Sequence, residues 1–344
     1  MSNISPFTFK AMSASIWDSP FSIVAYVVTA IAVFLSIFKY YLYITCGKIT
    51  SSRNMEGKTV IVTGANSGIG KETARDLAKR GARVIMACRN METAAKARDE
   101  IVAESNNQNI VIRHVDMSSL ASVRNFAKEI LSTESVIDVL IHNAGVAQGL
   151  KSKVTSDGLV FSLATNYYGP FLLTHLLINM LKKSDQGRII VVSSKLYQYA
   201  HVKRDLSNIN PINSQYSAPT QLYNLSKFME IMFTQELARR LRGTRVTANC
   251  LHPGVIDTGI WRNIPFPLNI VFKPIQWCFR TPEEGARTTV YLTVTPEVDQ
   301  ISGKYFRGCK VTEINQRVQD VALQGKLWEA SRTLVQLTDE DPMI

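Results

Sequence analysis

Several kinds of functional site are missing from this sequence. Its five cysteines are scattered and odd in number, and none forms a C-x-x-C pair, which argues against a disulfide framework or a zinc site. The five histidines form no H-E-x-x-H metal motif. The formal net charge is +11, yet no block of lysine and arginine is interleaved with aromatic residues, so nucleic acid is the weakest candidate partner. We therefore expect a protein of a reducing compartment, with no bound metal and no nucleic-acid partner.

Charge is absent between Asp18 and Lys39, where the apolar stretch 19–38 lies. Twenty helical residues span about 30 Å, the thickness of the hydrocarbon core of a bilayer. A cleaved signal peptide would have a basic start and a shorter apolar run, and a buried core helix is the other alternative. Lysine and arginine exceed acidic residues after this stretch, which predicts a single-pass membrane anchor with the main body in the cytosol.

Beyond the anchor, short apolar runs of strand length alternate with helical segments. The runs are 58–63, 82–88, 109–115, 137–142, 188–193 and 244–251. Strands buried on both faces have this character, and the alternation predicts a Rossmann-type α/β fold, a doubly wound parallel sheet. The predicted domains are a tail (1–18), the anchor (19–38), a linker (39–55), a catalytic domain (56–315) and a helical extension (316–344).

The first strand runs into the glycine-rich segment TGANSGIG, residues 63–70, which opens a helix. Gly64 permits a sharp turn, Gly68 lets the backbone approach a pyrophosphate, and Gly70 lets the helix pack closely on the sheet. The amino terminus of the helix adds free N–H groups and a positive dipole. Placed between a strand and a helix, the segment predicts a dinucleotide site, and a purely structural turn is the alternative.

The end of the second strand, ACRN, indicates which dinucleotide is bound. An acidic residue here would bind the ribose 2′-hydroxyl of NAD, but the chain has Cys88 followed by Arg89. A guanidinium can hold a 2′-phosphate with two hydrogen bonds. We therefore predict NADP(H) as the cofactor, with a surface arginine as the alternative explanation.

These motifs together resemble the short-chain dehydrogenase/reductase family over residues 57–310. The resemblance rests on TGANSGIG, VDMSS with Asp116, NAG (143–145), TNYYGPF with Asn166, VVSS (191–194), YNLSK (223–227) and HPGVIDT (252–258). Within the family the chain is most similar to the microsomal retinol dehydrogenases, in ACRN, FLLTHLL, SKFMEIMFTQELARRL, TPEEGA and the amino-terminal anchor.

Two tyrosines precede a lysine by one helical turn, Tyr223 in YNLSK and Tyr199 in YAHVK. In the family, the reactive pair follows the serine strand and begins a long helix. Tyr223 fits that position, whereas Tyr199 lies five residues after Ser194 in polar, loop-like sequence. The resemblance therefore assigns the chemistry to Tyr223.

The resemblance implies a role for each catalytic residue. A free tyrosine has a pKa of about 10, but the ammonium of Lys227 and a cationic nicotinamide favour the phenolate, so Tyr223 can exchange protons near pH 7. Ser194 would stabilise the negative charge that develops on the carbonyl oxygen, and Asn166 would hold a water that relays protons. Lys227 would also hold the nicotinamide ribose. The implied cofactor-binding residues are Gly64, Asn66, Ser67, Gly68, Ile69, Gly70, Arg89, Asp116, Asn143, Gly145, Tyr223, Lys227, Val255 and Thr258.

Some residues depart from the family pattern. His142 stands where a second asparagine is usual, and Lys195 follows the serine pair where small residues are common. Either Ser193 or Ser194 could be the catalytic serine, and we select Ser194 because the family uses the second of the two. The separation of Ser194 from Tyr223 is longer than usual, as it is in the retinol dehydrogenase group.

The predicted function is a membrane-anchored, NADP(H)-dependent oxidoreductase that interconverts a lipophilic aldehyde and its alcohol, retinal and retinol first. A steroid or other lipid ketone reductase is the alternative enzyme, and a catalytically vestigial membrane scaffold is the alternative of another class. The endoplasmic reticulum is the expected membrane, with mitochondrion and lipid droplet as alternatives. Family members often form homodimers, and the sequence leaves the oligomeric state open.

The apolar segment 264–279 carries three prolines, which disfavour a regular helix. It follows the HPG loop, so chain order places it over the carboxyl ends of the strands, where ligands bind in this fold. We predict a lid over the substrate pocket that also contacts the bilayer, and an ordinary buried connection is the alternative.

Overall fold

The alternating apolar runs and helical segments form one sheet with helices on both sides. The computed structural model describes residues 20–147, 153–212, 220–256 and 276–344. It divides the chain into two units, one made of residues 1–45 and 265–279 and the other of residues 46–264 and 280–344.

The larger unit contains an eight-stranded sheet in the order β3-β2-β1-β4-β5-β6-β7-β8. Strands β1 to β7 are parallel, and only β8 runs antiparallel to its neighbour. This is the predicted doubly wound sheet, and all six predicted strands are confirmed, whereas the short β7 and β8 were not predicted. The strands are β1 (Thr59–Thr63), β2 (Arg83–Cys88), β3 (Ile110–His114), β4 (Val139–His142), β5 (Gly187–Val192), β6 (Val246–His252), β7 (Tyr305–Arg307) and β8 (Lys310–Val311).

Helices connect the parallel strands as crossovers. A π-helical turn, Ala164–Tyr168, joins α5 to α6, and 3-10 turns occupy Lys195–Tyr199, Pro296–Val298 and Gln316–Gln319. The α-helices are α1 (Pro20–Ile44), α2 (Gly68–Lys79), α3 (Met91–Ser105), α4 (Leu120–Thr133), α5 (Phe161–Leu163), α6 (Gly169–Lys182), α7 (Thr220–Arg240), α8 (Pro282–Val294) and α9 (Val321–Leu334).

The central strands are buried on both faces, which explains their nearly continuous apolar sequence. Because successive side chains of a strand point to opposite faces, Ile61 packs in one hydrophobic core and its neighbours Val60 and Val62 pack in the other. The Ile61 core includes the inner faces of α4, α6 and α7, and the other core includes those of α2 and α3. The sheet is therefore fixed from both sides, and the loops at the carboxyl ends of its strands are held in place.

Helix α9 closes the Ile61 core at the end of the chain. The fully buried Trp328 lies 5.0 Å from Phe171 and 5.9 Å from Phe233, measured between ring centroids. Arg240 covers the indole, with its guanidinium carbon 4.5 Å from the ring centroid. The terminal helix is thus an integral part of the packing behind α7.

Helix α1, in the smaller unit, is the one described helix long and apolar enough to cross a membrane. It has 25 residues, about 37 Å at 1.5 Å per residue, and so continues beyond the predicted span through Lys39 and the aromatic residues that follow. None of its most apolar 18-residue window is buried. Within the same unit, the Lys39 Nζ lies 3.7 Å from the centroid of the Trp277 ring, and the Cys278 Sγ contacts the Leu35 carbonyl at 3.5 Å. Residues 276–279 therefore lie beside the carboxyl-terminal half of α1, and the rest of the predicted lid lies outside the described residues.

Candidate active site

The glycine-rich turn between β1 and α2 has the backbone geometry that the sequence predicts. Gly64 and Gly68 adopt φ angles of +68° and +56°, the left-handed region that favours glycine. A Cβ on Gly70 would overlap the Gly64 carbonyl and the Asn143 side-chain amide. Ser67 precedes the first turn of α2 but makes no side-chain cap with it. The first N–H groups of a helix have no partner within it, so this turn presents backbone donors to an anion, which fits a dinucleotide pyrophosphate.

Asn66 and Ile69 complete the turn in different ways. The Asn66 side-chain amide donates to the Thr93 hydroxyl at 2.9 Å, which ties the turn to the start of α3. The Ile69 side chain lies beside Gly285 of α8, because a Cβ on that glycine would come 3.1 Å from it. Both residues therefore tie the turn to neighbouring helices, Asn66 to α3 and Ile69 to α8.

Arg89 and Asp116 lie together beyond the ends of β2 and β3. The Arg89 Nη1 is 3.9 Å from the Asp116 Oδ2, and the Arg89 side chain is 59% exposed. The Asp116 carboxylate also accepts hydrogen bonds from the backbone N–H and the hydroxyl of Ser118. Burial raises the pKa of the neighbouring Cys88 thiol to about 11, so Cys88 is neutral at physiological pH. Arg89 is therefore an exposed cation at the end of β2, paired at 3.9 Å with a half-buried carboxylate.

Asn143 holds the ends of two neighbouring strands together. Its side-chain amide donates to the Thr63 carbonyl at 2.9 Å, and its backbone N–H donates to the Thr63 hydroxyl at 3.0 Å. The Ala144 N–H donates to the same hydroxyl. Thr63, which sequence reasoning did not single out, is thus the residue that fixes the NAG loop.

Helix α7 presents Tyr223 and Lys227 one turn apart. The Lys227 Nζ lies 5.3 Å from the centroid of the Tyr223 ring. A Cβ on Gly145 would lie 3.7 Å from both the Lys227 Nζ and the Asn166 Oδ1, so the ammonium, the amide and the NAG loop converge. Tyr199, in contrast, ends a 3-10 turn with its side chain 75% exposed.

Asn166 lies in the π-helical turn between α5 and α6, a deviation that often occurs at functional sites. Its amide group donates to the Ser226 hydroxyl at 2.9 Å and to the Val146 carbonyl at 3.0 Å. Its oxygen accepts the Val146 N–H at 2.8 Å. Ser226, inside the YNLSK motif, therefore couples Asn166 to α7, which the motif alone did not indicate.

The two serines at the end of β5 have different partners. The buried Ser193 hydroxyl donates to the Lys227 carbonyl at 3.0 Å, which ties β5 to α7. The Ser194 hydroxyl accepts the Leu196 N–H at 3.2 Å, and within the part of the chain that the structure describes its own hydrogen is left for another partner. This difference fits the choice of Ser194 as the residue that binds substrate.

The residues that depart from the family pattern are accommodated by the fold. The Lys195 side chain is exposed, and its backbone N–H donates to the His252 Nδ1 at 3.2 Å. Burial, together with nearby cations, lowers the pKa of His252 to about 3, so His252 is neutral and can accept this bond. His142 is buried and its Nε2 bonds the Thr174 hydroxyl at 2.8 Å, with its pKa lowered by burial to about 3.

The HPG loop is described as far as residue 256. Gly254 has a φ of +106°, and a Cβ there would come within 2.5 Å of the Arg280 guanidinium. The Val255 carbonyl accepts the Arg280 N–H at 2.9 Å, and Val255 is 38% exposed. Thr258, also predicted to bind the cofactor, lies outside the described residues.

Sequence reasoning missed one charged residue of this cluster, Glu230. Its Oε1 lies 2.7 Å from the Lys227 Nζ, and both side chains are almost completely buried. An acidic residue on the inward face of an apolar helical segment, KFMEIMF, is the signal that could have identified it.

Comparison with known proteins agrees with this arrangement. The family model described as short chain dehydrogenase matches residues 58–266. Retinol dehydrogenase 14 of Homo sapiens is 43% identical over 300 residues, which cover 82% of this chain and 88% of the relative. Retinol dehydrogenase 13 of Homo sapiens is 40% identical over 300 residues, with 86% and 89% covered. The crystal structure of an uncharacterised protein from Mycobacterium paratuberculosis has a TM-score of 0.66 at 28% identity and covers 84% of this chain and 97% of its own.

The family match extends over most of the sheet and includes the glycine-rich turn, the NAG loop and the Tyr223–Lys227 pair. The relatives are similar over nearly their whole length. The chain is therefore an oxidoreductase of the short-chain dehydrogenase family, in the group of the retinol dehydrogenases.

Proposed function

We propose that this protein is a membrane-anchored, NADP(H)-dependent oxidoreductase that interconverts a lipophilic aldehyde and its alcohol, of the retinal and retinol type. The observation that carries the proposal is the convergence of Asn166, Tyr223 and Lys227 at the NAG loop. The names of the relatives, retinol dehydrogenases 13 and 14, supply the substrate class. The catalytic activity is assigned to residues 56–315.

Each side chain of the site has its own role in the proposed reaction. When bound, the nicotinamide supplies or accepts the hydride. Tyr223 donates a proton to the carbonyl oxygen during reduction and removes one from the alcohol during oxidation, and the Lys227 Nζ lies 5.3 Å from the centroid of its ring. The free hydrogen of the Ser194 hydroxyl binds the same oxygen as negative charge develops there. Asn166, fixed by Ser226 and Val146, keeps the π-helical turn against α7.

The choice of NADP(H) follows from the charge at the end of β2. Arg89 is exposed and retained by a single carboxylate 3.9 Å away, so its guanidinium can turn to a 2′-phosphate. The glycine-rich turn binds the pyrophosphate of either dinucleotide, so the discrimination between them depends on Arg89.

Membrane attachment is assigned to α1, whose apolar window is unburied within the protein. Lysine and arginine after the span orient the enzyme with its catalytic part in the cytosol, and the endoplasmic reticulum is the membrane we propose. A lipophilic substrate dissolved in the same bilayer would then be close to the enzyme.

A substrate panel with two tyrosine variants tests the proposal. Membranes containing the enzyme should oxidise NADPH with retinal faster than with steroid ketones, medium-chain aldehydes or prenyl aldehydes. Tyr223→Phe should lower kcat at least about a hundredfold while the Kd for NADPH changes little, because only the proton donor is lost. Tyr199→Phe, at the exposed tyrosine, is the matched control and should retain full activity.

Each failure has a distinct meaning. Faster turnover of steroid ketones than of retinal would support the alternative enzyme, a steroid or other lipid ketone reductase. Binding of NADPH without turnover of any compound would indicate a vestigial scaffold. Retained activity in Tyr223→Phe would show that another group is the acid.

A further inference from the structure

A buried ion pair lies directly behind the proposed reaction site. Lys227 and Glu230 are one turn apart on α7, with side chains 5% and 3% exposed and a separation of 2.7 Å between Nζ and Oε1. Burying two opposite charges can destabilise a protein, because the free energy of desolvating them can exceed their mutual attraction. Such a pair beside a proton-transferring tyrosine therefore calls for a functional explanation.

The hydrogen bonds show how the ammonium is held. An ammonium group has three N–H donors. One donates to Glu230, and a second donates to the Val192 carbonyl at 2.9 Å, at the end of β5. Two fixed partners on two elements locate the Nζ beside Gly145 and Asn166, and among the residues that the structure describes they leave one N–H for a ligand.

Glu230 itself is incompletely paired. Among the described residues, its Oε2 has no hydrogen-bond partner, although it is buried. A carboxylate that served only to stabilise the fold would be expected to satisfy both oxygens. The Ser193 hydroxyl, which donates to the Lys227 carbonyl, also lies close enough to lower the pKa of Glu230, so the surroundings of the carboxylate are Lys227 and the end of β5.

We propose that Glu230 is a positioning residue of the hydride-transfer site, which holds the Lys227 ammonium at the NAG loop and cancels its charge while ionised. The inference rests on the proposed function, because Lys227 is the cation that acts on Tyr223 and on the bound nicotinamide. It gives Glu230 a role that the resemblance to the family did not assign.

The charge of the pair changes with pH. Burial raises the pKa of Glu230 to about 7, although the Lys227 ammonium opposes this rise. Burial lowers the pKa of Lys227, but Glu230 and Tyr223 outweigh it, so the net shift is upward and Lys227 stays charged. The pair therefore carries one positive charge below about pH 7 and none above it.

The titratable groups on the neighbouring strands β6 and β7 keep their state in this range. Cys250, on the adjacent strand β6, interacts with Glu230 and has its pKa raised by burial to about 12. Tyr305, on β7 next to Cys250, has its pKa raised further by burial. His252, near the end of β6, is neutral because burial lowers its pKa to about 3. Tyr223 faces the pair from the same helix.

The expected consequence concerns the two redox states of the cofactor. An oxidised nicotinamide is cationic and a reduced one is neutral, so an uncompensated ammonium disfavours the oxidised form selectively. The ratio of Kd for NADP⁺ to Kd for NADPH should therefore fall roughly five- to tenfold from pH 6 to pH 8.5 as Glu230 ionises.

Fluorescence titrations of the full-length enzyme with NADP⁺ and NADPH across this range test the proposal. In Glu230→Gln the ratio should stay at its low-pH value throughout, because Lys227 is never compensated. Glu230→Asp should restore part of the pH dependence. Glu236→Gln is the matched control: this glutamate is equally buried on α7 but pairs with Arg239 and Arg240, so its variant should behave like the parent.

The parent enzyme provides a test that needs no variant. Binding of NADP⁺ near pH 7 should release protons from Glu230, measurable by calorimetry in two buffers of different ionisation enthalpy. A ratio independent of pH in the parent, no proton release, or an unchanged pH dependence in Glu230→Gln would overturn the proposal while leaving the proposed function intact. Failure to bind either nucleotide would overturn both.

Discussion

Arg89 should decide between the two nicotinamide cofactors. The perturbation is Arg89→Ala, which removes the guanidinium but leaves the glycine-rich turn, and so the pyrophosphate site, unchanged. NADPH should lose a partner for its 2′-phosphate, whereas NADH has no such group to lose. The Michaelis constant for NADPH should therefore rise far more than that for NADH.

The structure sets the size of this effect. The pair between Arg89 and Asp116 spans 3.9 Å at the surface, with side chains 59% and 30% exposed, so it is worth at most about 1 kcal/mol. A charge-assisted hydrogen bond to a phosphate is worth about 1.5–3 kcal/mol, which is roughly ten- to a hundredfold in affinity. Turning Arg89 from the carboxylate to the phosphate is therefore favourable.

The assay is the initial rate of aldehyde reduction at varied NADPH and NADH. Arg98→Ala is the matched control, because Arg98 is an arginine of the following helix that bonds its neighbour Asp99. Arg89→Ala combined with Asp116→Asn should recover part of the lost NADPH affinity, since it removes a negative charge from the vicinity of the phosphate. Equal increases in both Michaelis constants for Arg89→Ala would refute a contact with the 2′-phosphate.

Three further predictions concern the glycine-rich turn, the anchor and the terminal helix. Gly70→Ala should lower the free energy of unfolding by about 1–3 kcal/mol and weaken NADPH binding, because the added Cβ overlaps neighbouring atoms. Gly325→Ala is the control and should raise the melting temperature, because the space around this helical glycine is open. Val33→Arg, mid-way along α1, should release the protein from membranes on carbonate extraction, since a central arginine costs about 2.5–3.5 kcal/mol. Val321→Arg is the control, because Val321 is as exposed as Val33 but lies on α9, and this variant should remain in the membrane pellet. Extraction of both variants, or of neither, would contradict the assignment of α1 as the anchor. Trp328→Ala should cost about 3–5 kcal/mol in urea unfolding, and a loss below 1 kcal/mol would show that α9 is peripheral.

The sequence by itself predicted a doubly wound parallel sheet with six of its strands, and it proposed Tyr223 and Lys227 as the reactive pair. Apolar runs of strand length predicted β1 to β6, because strands buried on both faces need continuous apolar sequence. The motif order selected Tyr223 over Tyr199, and the structure places the first beside Lys227 and leaves the second exposed. The strands β7 and β8 escaped prediction because they have only three and two residues. Such short runs carry too little periodicity to be distinguished from loops.

Only the tertiary structure decided how the side chains around the site are held. Thr63 and Ser226 contact residues 80 and 60 positions away along the chain, so no spacing rule could assign their partners. Glu230 is only three residues from Lys227, but that spacing does not show that the pair is buried. The state of Glu230 depends on complete burial beside Lys227, and burial is a property of the packed core rather than of local sequence. The sequence shows which residue types are available for the site. The fold decides their charge, because it determines which ionisable groups are buried away from water.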